Sequence, residues 1–266
     1  MNNFHSTKRV TTALLLAAGT GSRLLPLTNS APKCMTMVNG KSILKRQVSV
    51  LNQQGFKRLV IVTGHLEDRI RNFLGKKMGG IDIEYVFSPR YKTTNNIYSL
   101  WMARNIIQEP FLLLESDLVF EKSLLDPMLS PNKIAVAKMK PWMNGTSVTI
   151  NPARKVKAFL AGGTDSPGET RYKTVNIYSL SLPSWRGIVK RLDEYISNDL
   201  SNAYYETVFG KMIADGSLAF DAVSFDGKPW YEIDTHKDLE AAMKLFAFDR
   251  YPTRKAEPRS NPVYAG

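Results

Sequence analysis

The chain has 266 residues, of which 43% are hydrophobic, and it carries a formal net charge of +12. This composition excludes an extended disordered chain, and the length is sufficient for a sizeable core. No apolar run is long enough to cross a bilayer, and no apolar stretch near the start resembles a secretory signal, so we expect a cytoplasmic protein. The single cysteine, Cys34, excludes an intrachain disulfide and suits a reducing compartment.

The excess of basic residues raises the question of nucleic-acid binding. Lys and Arg are scattered along the sequence, without a run of five or more and without a basic strip interleaved with aromatic residues. We therefore expect neither a nucleic-acid partner nor a membrane partner. Part of the positive charge is explained by a polyanionic small substrate, and the remainder by solvated surface.

In the first half of the chain, apolar strand-like runs alternate with helical patterns, which predicts a parallel sheet built from βαβ units. Strands are predicted at 13–16, 59–63, 81–87 and 111–115. A helix is predicted after the Asn39-Gly40 turn, because apolar residues recur at helical spacing between Leu44 and Leu51. A second helix is expected to begin near residue 95, where two consecutive asparagines could each serve as its cap.

The second half of the chain has a different pattern. Strands are predicted at 134–138, 148–150, 156–160, 174–180 and 220–225, and helices at 184–196 and 202–215. The short, closely spaced strands favour a small antiparallel extension or lid. Because no linker interrupts the pattern, we predict a single α/β, Rossmann-like domain over residues 1–248, with a mixed, mostly parallel central sheet flanked by helices. Residues 249–266 are predicted to form a loosely ordered tail or a packing arm. An exposed apolar face together with this tail could form a homodimer.

An apolar strand runs into a glycine turn between Leu14 and Lys33. Gly19 and Gly21 allow backbone N–H groups to approach an anion closely, while Arg23 and Lys33 supply positive charge. This segment predicts a site for the phosphates of a nucleotide. A short glycine turn alone is equally compatible with an ordinary connection between a strand and a helix, so the surrounding pattern decides the interpretation.

Two common phosphate-binding motifs fit the sequence less well. A dinucleotide fingerprint requires a third glycine where Leu24 stands. A Walker loop that ends at Gly40-Lys41-Ser42 requires its first glycine where Met35 stands. We therefore set both motifs aside.

Asp117 and Asp234 each follow a strand-like run. Ligands in open α/β sheets bind at the carboxyl ends of the strands, and Mg²⁺ is usually held by one or two carboxylates together with phosphate oxygens and water. Both aspartates are therefore candidate ligands of Mg²⁺. Asp234 could instead cap a helix, but Thr235 followed by Asp238 already has the pattern of a capping box, which leaves Asp234 available.

The pattern around the glycine turn reads Ala17-Ala18-Gly19-x-Gly21-x-Arg23-Leu24-x-Pro26-Leu27-Thr28, then Pro32-Lys33, then Val38-x-Gly40-Lys41. In residue order and spacing, over about twenty-five residues, it resembles the nucleotidyltransferase family that makes nucleoside-diphosphate-activated metabolites. The resemblance implies a nucleotidyltransferase that uses Mg²⁺, with Asp117 and Asp234 as the metal ligands.

Three further segments narrow the resemblance: Asn96-Ile97-Tyr98-Ser99-Leu100, Tyr204-Tyr205-Glu206 and Tyr231-Glu232-Ile233-Asp234. They are similar to cytidylyltransferases that act on phosphocholine and on phosphonates such as 2-aminoethylphosphonate. The resemblance implies transfer of CMP from CTP to a small phosphonate or phosphate with release of pyrophosphate, 2-aminoethylphosphonate being favoured and phosphocholine next. The alternatives are a sugar-1-phosphate nucleotidylyltransferase that uses UTP or dTTP, and an inactive homologue that only binds a nucleotide and regulates a partner.

The resemblance also implies roles for individual residues. Arg23 and Lys33 are expected to neutralise charge on the phosphates during catalysis. Residues expected to bind the nucleotide are Ala17, Ala18, Gly19, Gly21, Ser22, Gly64, Asn96 and Ser99. A cationic acceptor favours aromatic faces and a carboxylate, and its anionic group favours a lysine. The candidates for these contacts are Trp142, Lys173, Tyr205 and Glu206, although aromatic residues at such positions are equally compatible with core packing.

Overall fold

The computed structural model describes residues 9–162 and 168–247. The predicted tail 249–266 lies outside the described residues. The strands are β1 Thr12–Ala17, β2 Met37–Val38, β3 Lys41–Ser42, β4 Arg58–Thr63, β5 Lys77–Met78, β6 Ile81–Phe87, β7 Phe111–Glu115, β8 Leu118–Phe120, β9 Lys133–Lys138, β10 Ser147–Ile150, β11 Val156–Leu160, β12 Tyr172–Leu180, β13 Asp221–Ser224 and β14 Trp230–Glu232. The helices are α1 Ile43–Gln53, α2 Glu67–Leu74, α3 Asn96–Met102, α4 Leu182–Ser197, α5 Tyr205–Ala214 and α6 His236–Leu245.

One large sheet forms the centre of the fold, with its strands in the order β11-β10-β12-β7-β1-β4-β6-β5. The four strands β7, β1, β4 and β6 run parallel, as the alternation of strands and helices predicts. The second half adds β12, β10 and β11 as the predicted antiparallel extension, while β9 pairs with β12 and β13. The predicted α/β architecture with a mixed, mostly parallel central sheet is confirmed.

Both faces of the central strands are covered. In β1, Ala13, Leu15 and Ala17 belong to one buried apolar cluster, while Leu14 and Leu16 belong to another on the opposite face. Helix α1 covers the first face, and α3, α4 and α5 cover the second. This arrangement explains why β1 reads as a continuous apolar run rather than as an alternating one.

Some element boundaries differ from the predicted ones for identifiable reasons. The predicted helix 202–215 begins only at Tyr205, whose backbone N–H donates to the Asn96 side chain at 3.0 Å. Helix α4 begins at Leu182, earlier than predicted, because Ser181 caps it. The elements that were not predicted include the charged helix α2, the two-residue strands β2, β3 and β5, and the strand β8, which pairs with β14. Among the described helices, none combines the length and apolar character needed to cross a membrane.

Candidate active site

A cavity of about 890 Å³ opens beside the carboxyl ends of β1 and β7. The glycine turn after β1, the segment after β7, and residues of α3, α5, β11 and β12 form its wall. The predicted site residues that line it are Ala18, Gly19, Gly21, Ser22, Arg23, Lys33, Asn96, Ser99, Asp117, Lys173, Glu206 and Asp234. The fold therefore brings most of the predicted site residues to one place.

Four charged side chains meet at the wall of this cavity. Lys33 Nζ lies 2.7 Å from Asp117 Oδ2 and 2.6 Å from Asp234 Oδ1. The Arg23 guanidinium donates to the same Asp234 oxygen at 2.8 Å. The backbone N–H of Ile233 donates to the Asp117 carbonyl at 3.0 Å, so the segments that carry the two aspartates are held together.

The two carboxylates determine the charge of Lys33. Burial works against the charged amine, but the nearby charges of Asp117 and Asp234 outweigh it and hold the pKa of Lys33 above its ordinary value. The lysine therefore remains an ammonium group at neutral pH. Two cations and two anions balance each other at this end of the cavity, which is suited to hold a polyphosphate together with a metal ion.

The donor set near Lys33 fits Mg²⁺. Asp117 Oδ1 is buried and has no hydrogen-bond partner among the described residues. An orphaned carboxylate oxygen is costly unless a ligand satisfies it, and hard carboxylate oxygens are the protein ligands that Mg²⁺ prefers. Asp117 and Asp234 are the residues that would hold the ion.

Gly21 allows the turn to pass close to Lys33. Its φ of +66 lies in the left-handed region, and a Cβ added there would meet Lys33 Cβ at 2.9 Å and Thr28 Cγ2 at 3.0 Å. The Thr28 hydroxyl donates to the Gly21 carbonyl at 2.9 Å and holds the loop in this position. Any larger residue at position 21 would strain the backbone and displace Lys33.

We expect Gly21→Ala to lower the free energy of unfolding by about 2 kcal/mol, because it combines an unfavourable φ with a steric clash. Gly19→Ala is the matched control, since an added Cβ there would meet nothing within 4 Å. The control should change stability by no more than about 0.5 kcal/mol. Urea unfolding of both variants measures the difference, and equal losses would contradict the assigned role of Gly21.

Asn96 does not cap its helix. Asn95 is the N-cap residue of α3, and its side chain accepts from the Asn96 backbone N–H at 2.8 Å. The Asn96 amide nitrogen instead lies 3.3 Å from Glu115 Oε1 and 3.5 Å from Glu206 Oε2. Its carbonyl oxygen accepts from the backbone of Tyr205, so Asn96 links β7, α3 and α5 at the cavity wall.

The buried Glu206 and the partly buried Glu115 form a pair of carboxyl groups beside Asn96. Neither has an ion-pair partner within 4.0 Å in the described part of the chain. Burial raises the pKa of Glu206 to about 7. Burial, reinforced by the charges of Asp117 and Glu206, also raises the pKa of Glu115 well above its ordinary value. These shifts reflect burial and neighbouring negative charge, both of which a bound cationic group would offset.

Lys173 lies at the cavity wall beside a further carboxylate. Its Nζ is 3.0 Å from Glu232 Oε2, and Asn176 donates to Glu232 Oε1, also at 3.0 Å. All three residues line the cavity. Glu115, Asn176 and Glu232 were not among the predicted site residues. The position of Glu115 at a strand end, two residues before Asp117, was the available signal for it.

Four predicted site residues do not line the cavity. Ala17 is buried within β1, and Gly64 packs behind the glycine turn, where an added Cβ would lie 2.6 Å from the Ala18 carbonyl oxygen. Trp142 is 66% exposed and lies outside the cavity wall. The Tyr205 ring is fully buried and packs against Tyr178 and Phe209, with centroids 5.8 and 5.2 Å away. These positions give Trp142 and Tyr205 no direct contact with a molecule in the cavity.

Residues 12–149, just over half of the chain, match the family model of the nucleotidyl transferases. The chain belongs to the nucleotidyl transferase family. The membership implied by the motif around the glycine turn is thus confirmed. The match covers the glycine turn, Lys33 and Asp117, while Asp234 lies beyond its end.

Two curated relatives of this nucleotidyl transferase align with most of the chain. CMP-5'-(3-aminopropyl)phosphonate synthase of Streptomyces rubellomurinus is 32% identical over an alignment of 254 residues, which covers 92% of this chain and 40% of that protein. CTP:phosphoglutamine cytidylyltransferase of Campylobacter jejuni is 26% identical over 87% of this chain and 99% of that protein. The chain thus spans two fifths of the first relative and nearly all of the second.

The fold of this nucleotidyl transferase also has close structural neighbours. CTP:phosphocholine cytidylyltransferase from Streptococcus pneumoniae superposes with a TM-score of 0.78 at 23% identity, covering 90% of this chain and 99% of that one. UDP-glucose pyrophosphorylase in complex with UDP-glucose gives a TM-score of 0.75 at 16% identity. Both confirm the fold, and at these identities neither defines a substrate.

Proposed function

We propose that the protein is a Mg²⁺-dependent cytidylyltransferase that transfers CMP from CTP to a small aminoalkylphosphonate and releases pyrophosphate. The observation that carries this proposal is the meeting of Arg23, Lys33, Asp117 and Asp234 at one end of a cavity whose other walls hold Glu206 and Lys173. Phosphocholine is the next candidate acceptor. The relatives named above support a cytidylyl transfer to phosphonates or phosphates.

The reaction requires no general base. A phosphonate oxygen of the acceptor, already anionic at neutral pH, attacks the α-phosphorus of CTP in line. The new oxygen–phosphorus bond forms as the bond to the β-phosphate oxygen breaks, and the electron pair leaves with pyrophosphate. Catalysis then depends on positioning and on neutralisation of charge. This agrees with a chain of only three histidines.

The residues near the glycine turn would perform these two tasks. The backbone of Gly19, Gly21 and Ser22 would cradle the triphosphate, and the exposed Arg23 would neutralise the leaving pyrophosphate. Lys33 would lie between the acceptor and the α-phosphate. Mg²⁺, held by Asp117 and Asp234, would supply charge neutralisation at the phosphate oxygens when bound.

The preference for an amino acceptor comes from the pair of carboxyl groups on Glu115 and Glu206. A primary ammonium can donate hydrogen bonds to both carboxylates, whereas a trimethylammonium group has no donor. The aromatic residues predicted for a quaternary ammonium, Trp142 and Tyr205, do not line the cavity, although Tyr91, Phe159 and Tyr204 do. Lys173, on the neighbouring wall, would meet the phosphonate end of the same molecule.

The decisive experiment is measurement of pyrophosphate release with Mg²⁺, four nucleoside triphosphates and five acceptors. The acceptors are 2-aminoethylphosphonate, 2-hydroxyethylphosphonate, phosphocholine, phosphoethanolamine and glucose-1-phosphate. We expect turnover with CTP and 2-aminoethylphosphonate. Turnover with UTP or dTTP and the sugar phosphate would instead indicate a sugar-1-phosphate nucleotidylyltransferase. Absence of turnover with every pair, despite nucleotide binding, would favour an inactive regulatory homologue.

A further inference from the structure

Asn176 lies in the middle of β12 in a conformation that strands do not normally contain. Its φ is +58, in the left-handed region, which asparagine tolerates better than most residues. Thr174 of β12 pairs with Val136 of β9, and Tyr178 pairs with Ile134. Between these two pairs, β12 therefore contains more residues than β9. The extra residues form a bulge beside the cavity, and such bulges commonly re-aim side chains next to active sites.

The bulge brings two side chains to one carboxylate. Residues three apart in a regular strand point to opposite faces of the sheet. Lys173 and Asn176 nevertheless both reach Glu232, with Lys173 Nζ 3.0 Å from Oε2 and Asn176 Nδ2 3.0 Å from Oε1. The Thr174 hydroxyl lies 3.0 Å from the Asn176 side-chain oxygen and also 3.0 Å from the Thr146 carbonyl oxygen. The Glu232 carboxylate can only accept, so it fixes the Asn176 amide with its nitrogen toward Glu232.

Both oxygens of Glu232 are therefore occupied, and the Lys173 ammonium has a fixed position. The Lys173 side chain is only 6% exposed, and an added Cβ at Gly145 would lie 3.3 Å from its Nζ, so the amine sits between Glu232 and the backbone of Gly145. A buried ammonium held in this way loses little side-chain entropy when an anion binds beside it.

We propose that Asn176 and Glu232 are positioning residues that hold the Lys173 ammonium at the cavity wall for the anionic group of the acceptor. The proposal rests on the proposed function, in which Lys173 meets the acceptor phosphonate. Asn176 acts through Glu232 and does not itself contact the acceptor. The left-handed residue and the bulge are then part of the acceptor site rather than a local irregularity of the sheet.

Asn176→Gly removes the side-chain amide and keeps the backbone conformation, because glycine adopts a φ of +58 freely. The variant therefore tests the role of the side chain alone. We expect the KM for 2-aminoethylphosphonate to rise about tenfold, the effect of losing one hydrogen bond to a charged group. The KM for CTP and the kcat at saturating acceptor should change less than about twofold, since the residues around Lys33 are untouched. Asn176→Asp, which also tolerates this backbone, should raise the acceptor KM further by repelling Glu232.

Asn132→Gly is the matched control. Asn132 is also left-handed, with a φ of +61, but its side chain accepts from the Ser181 backbone and lies outside the cavity. This variant measures how the kinetic constants respond when an asparagine in the left-handed conformation is replaced away from the cavity. We expect it to leave the KM of both substrates unchanged.

Reductive methylation of Lys173, followed by peptide mass spectrometry, tests the positioning without turnover. We expect the methylation rate of Lys173 to rise about tenfold in Asn176→Gly and to stay unchanged in Asn132→Gly. If the wild-type protein turns over no acceptor while this difference appears, the positioning stands and the proposed function fails. An acceptor KM and a methylation rate in Asn176→Gly equal to those of the wild type would overturn the proposal, because position 176 would then need only its backbone conformation.

Discussion

Lys33→Met is expected to lower kcat about a thousandfold, the effect of removing a preorganised cation from the centre of charge development. In the structure the ammonium group lies within 2.7 Å of both Asp117 and Asp234 and is the cation nearest to both carboxylates. Methionine retains the length of the side chain but leaves two partly buried carboxylates facing each other. Steady-state pyrophosphate release with CTP and 2-aminoethylphosphonate measures the loss.

Lys45→Met is the matched control, since Lys45 is exposed on α1 and lies outside the cavity. It makes the same chemical change and should leave kcat within about twofold. Circular dichroism and thermal unfolding of the Lys33 variant establish that the loss is not one of folding. A folded Lys33→Met protein that retains a tenth or more of the wild-type kcat would remove Lys33 from the proposed mechanism.

Glu206→Gln is expected to lower kcat/KM for 2-aminoethylphosphonate about 30-fold, because a hydrogen bond between a buried carboxylate and an ammonium is lost. The raised pKa of Glu206, about 7, reflects burial, which outweighs the opposing effect of the Lys173 charge, and a bound ammonium would further stabilise the ionised form. The variant should leave kcat/KM for 2-hydroxyethylphosphonate within about threefold, since that acceptor has no positive charge. The ratio of the two values therefore reports the amine contact alone.

Glu194→Gln supplies the control for Glu206, because it makes the same substitution at an exposed position of α4. Neither acceptor should respond to it. An equal loss with both phosphonates in Glu206→Gln would mean that Glu206 shapes the cavity without recognising the amine.

Much of the site could be predicted because its parts lie close together in the sequence or at the ends of recognisable strands. Gly19, Gly21 and Arg23 follow one strand within a few residues. Asp117 was predicted from its place after the buried strand β7. The capping box of Thr235 and Asp238 is present at the start of α6, which leaves the Asp234 carboxylate for Arg23 and Lys33, as the pattern indicated.

The residues that sequence reasoning missed or left ambiguous depend on contacts between distant elements. The role of Asn96 was ambiguous, because an asparagine near a helix N-terminus can either cap the helix or contact a ligand. Only the structure assigns the cap to Asn95. Glu115 and Glu206 meet only because Asn96 lies between β7 and α5. The aromatic residues near this site could not be divided between core and cavity by sequence, since burial and binding favour the same residue types.

The amino-acid sequence by itself determined the parallel core of the fold and the prediction of a phosphate site at the glycine turn, because local hydrophobic periodicity and glycine chemistry act over short stretches of chain. The tertiary structure decided which charges meet. Lys33 is separated from Asp117 by 84 positions and from Asp234 by 201, so their contact depends on strand order and register. The bulge at Asn176 likewise follows from the pairing of β12 with β9, which no local pattern specifies.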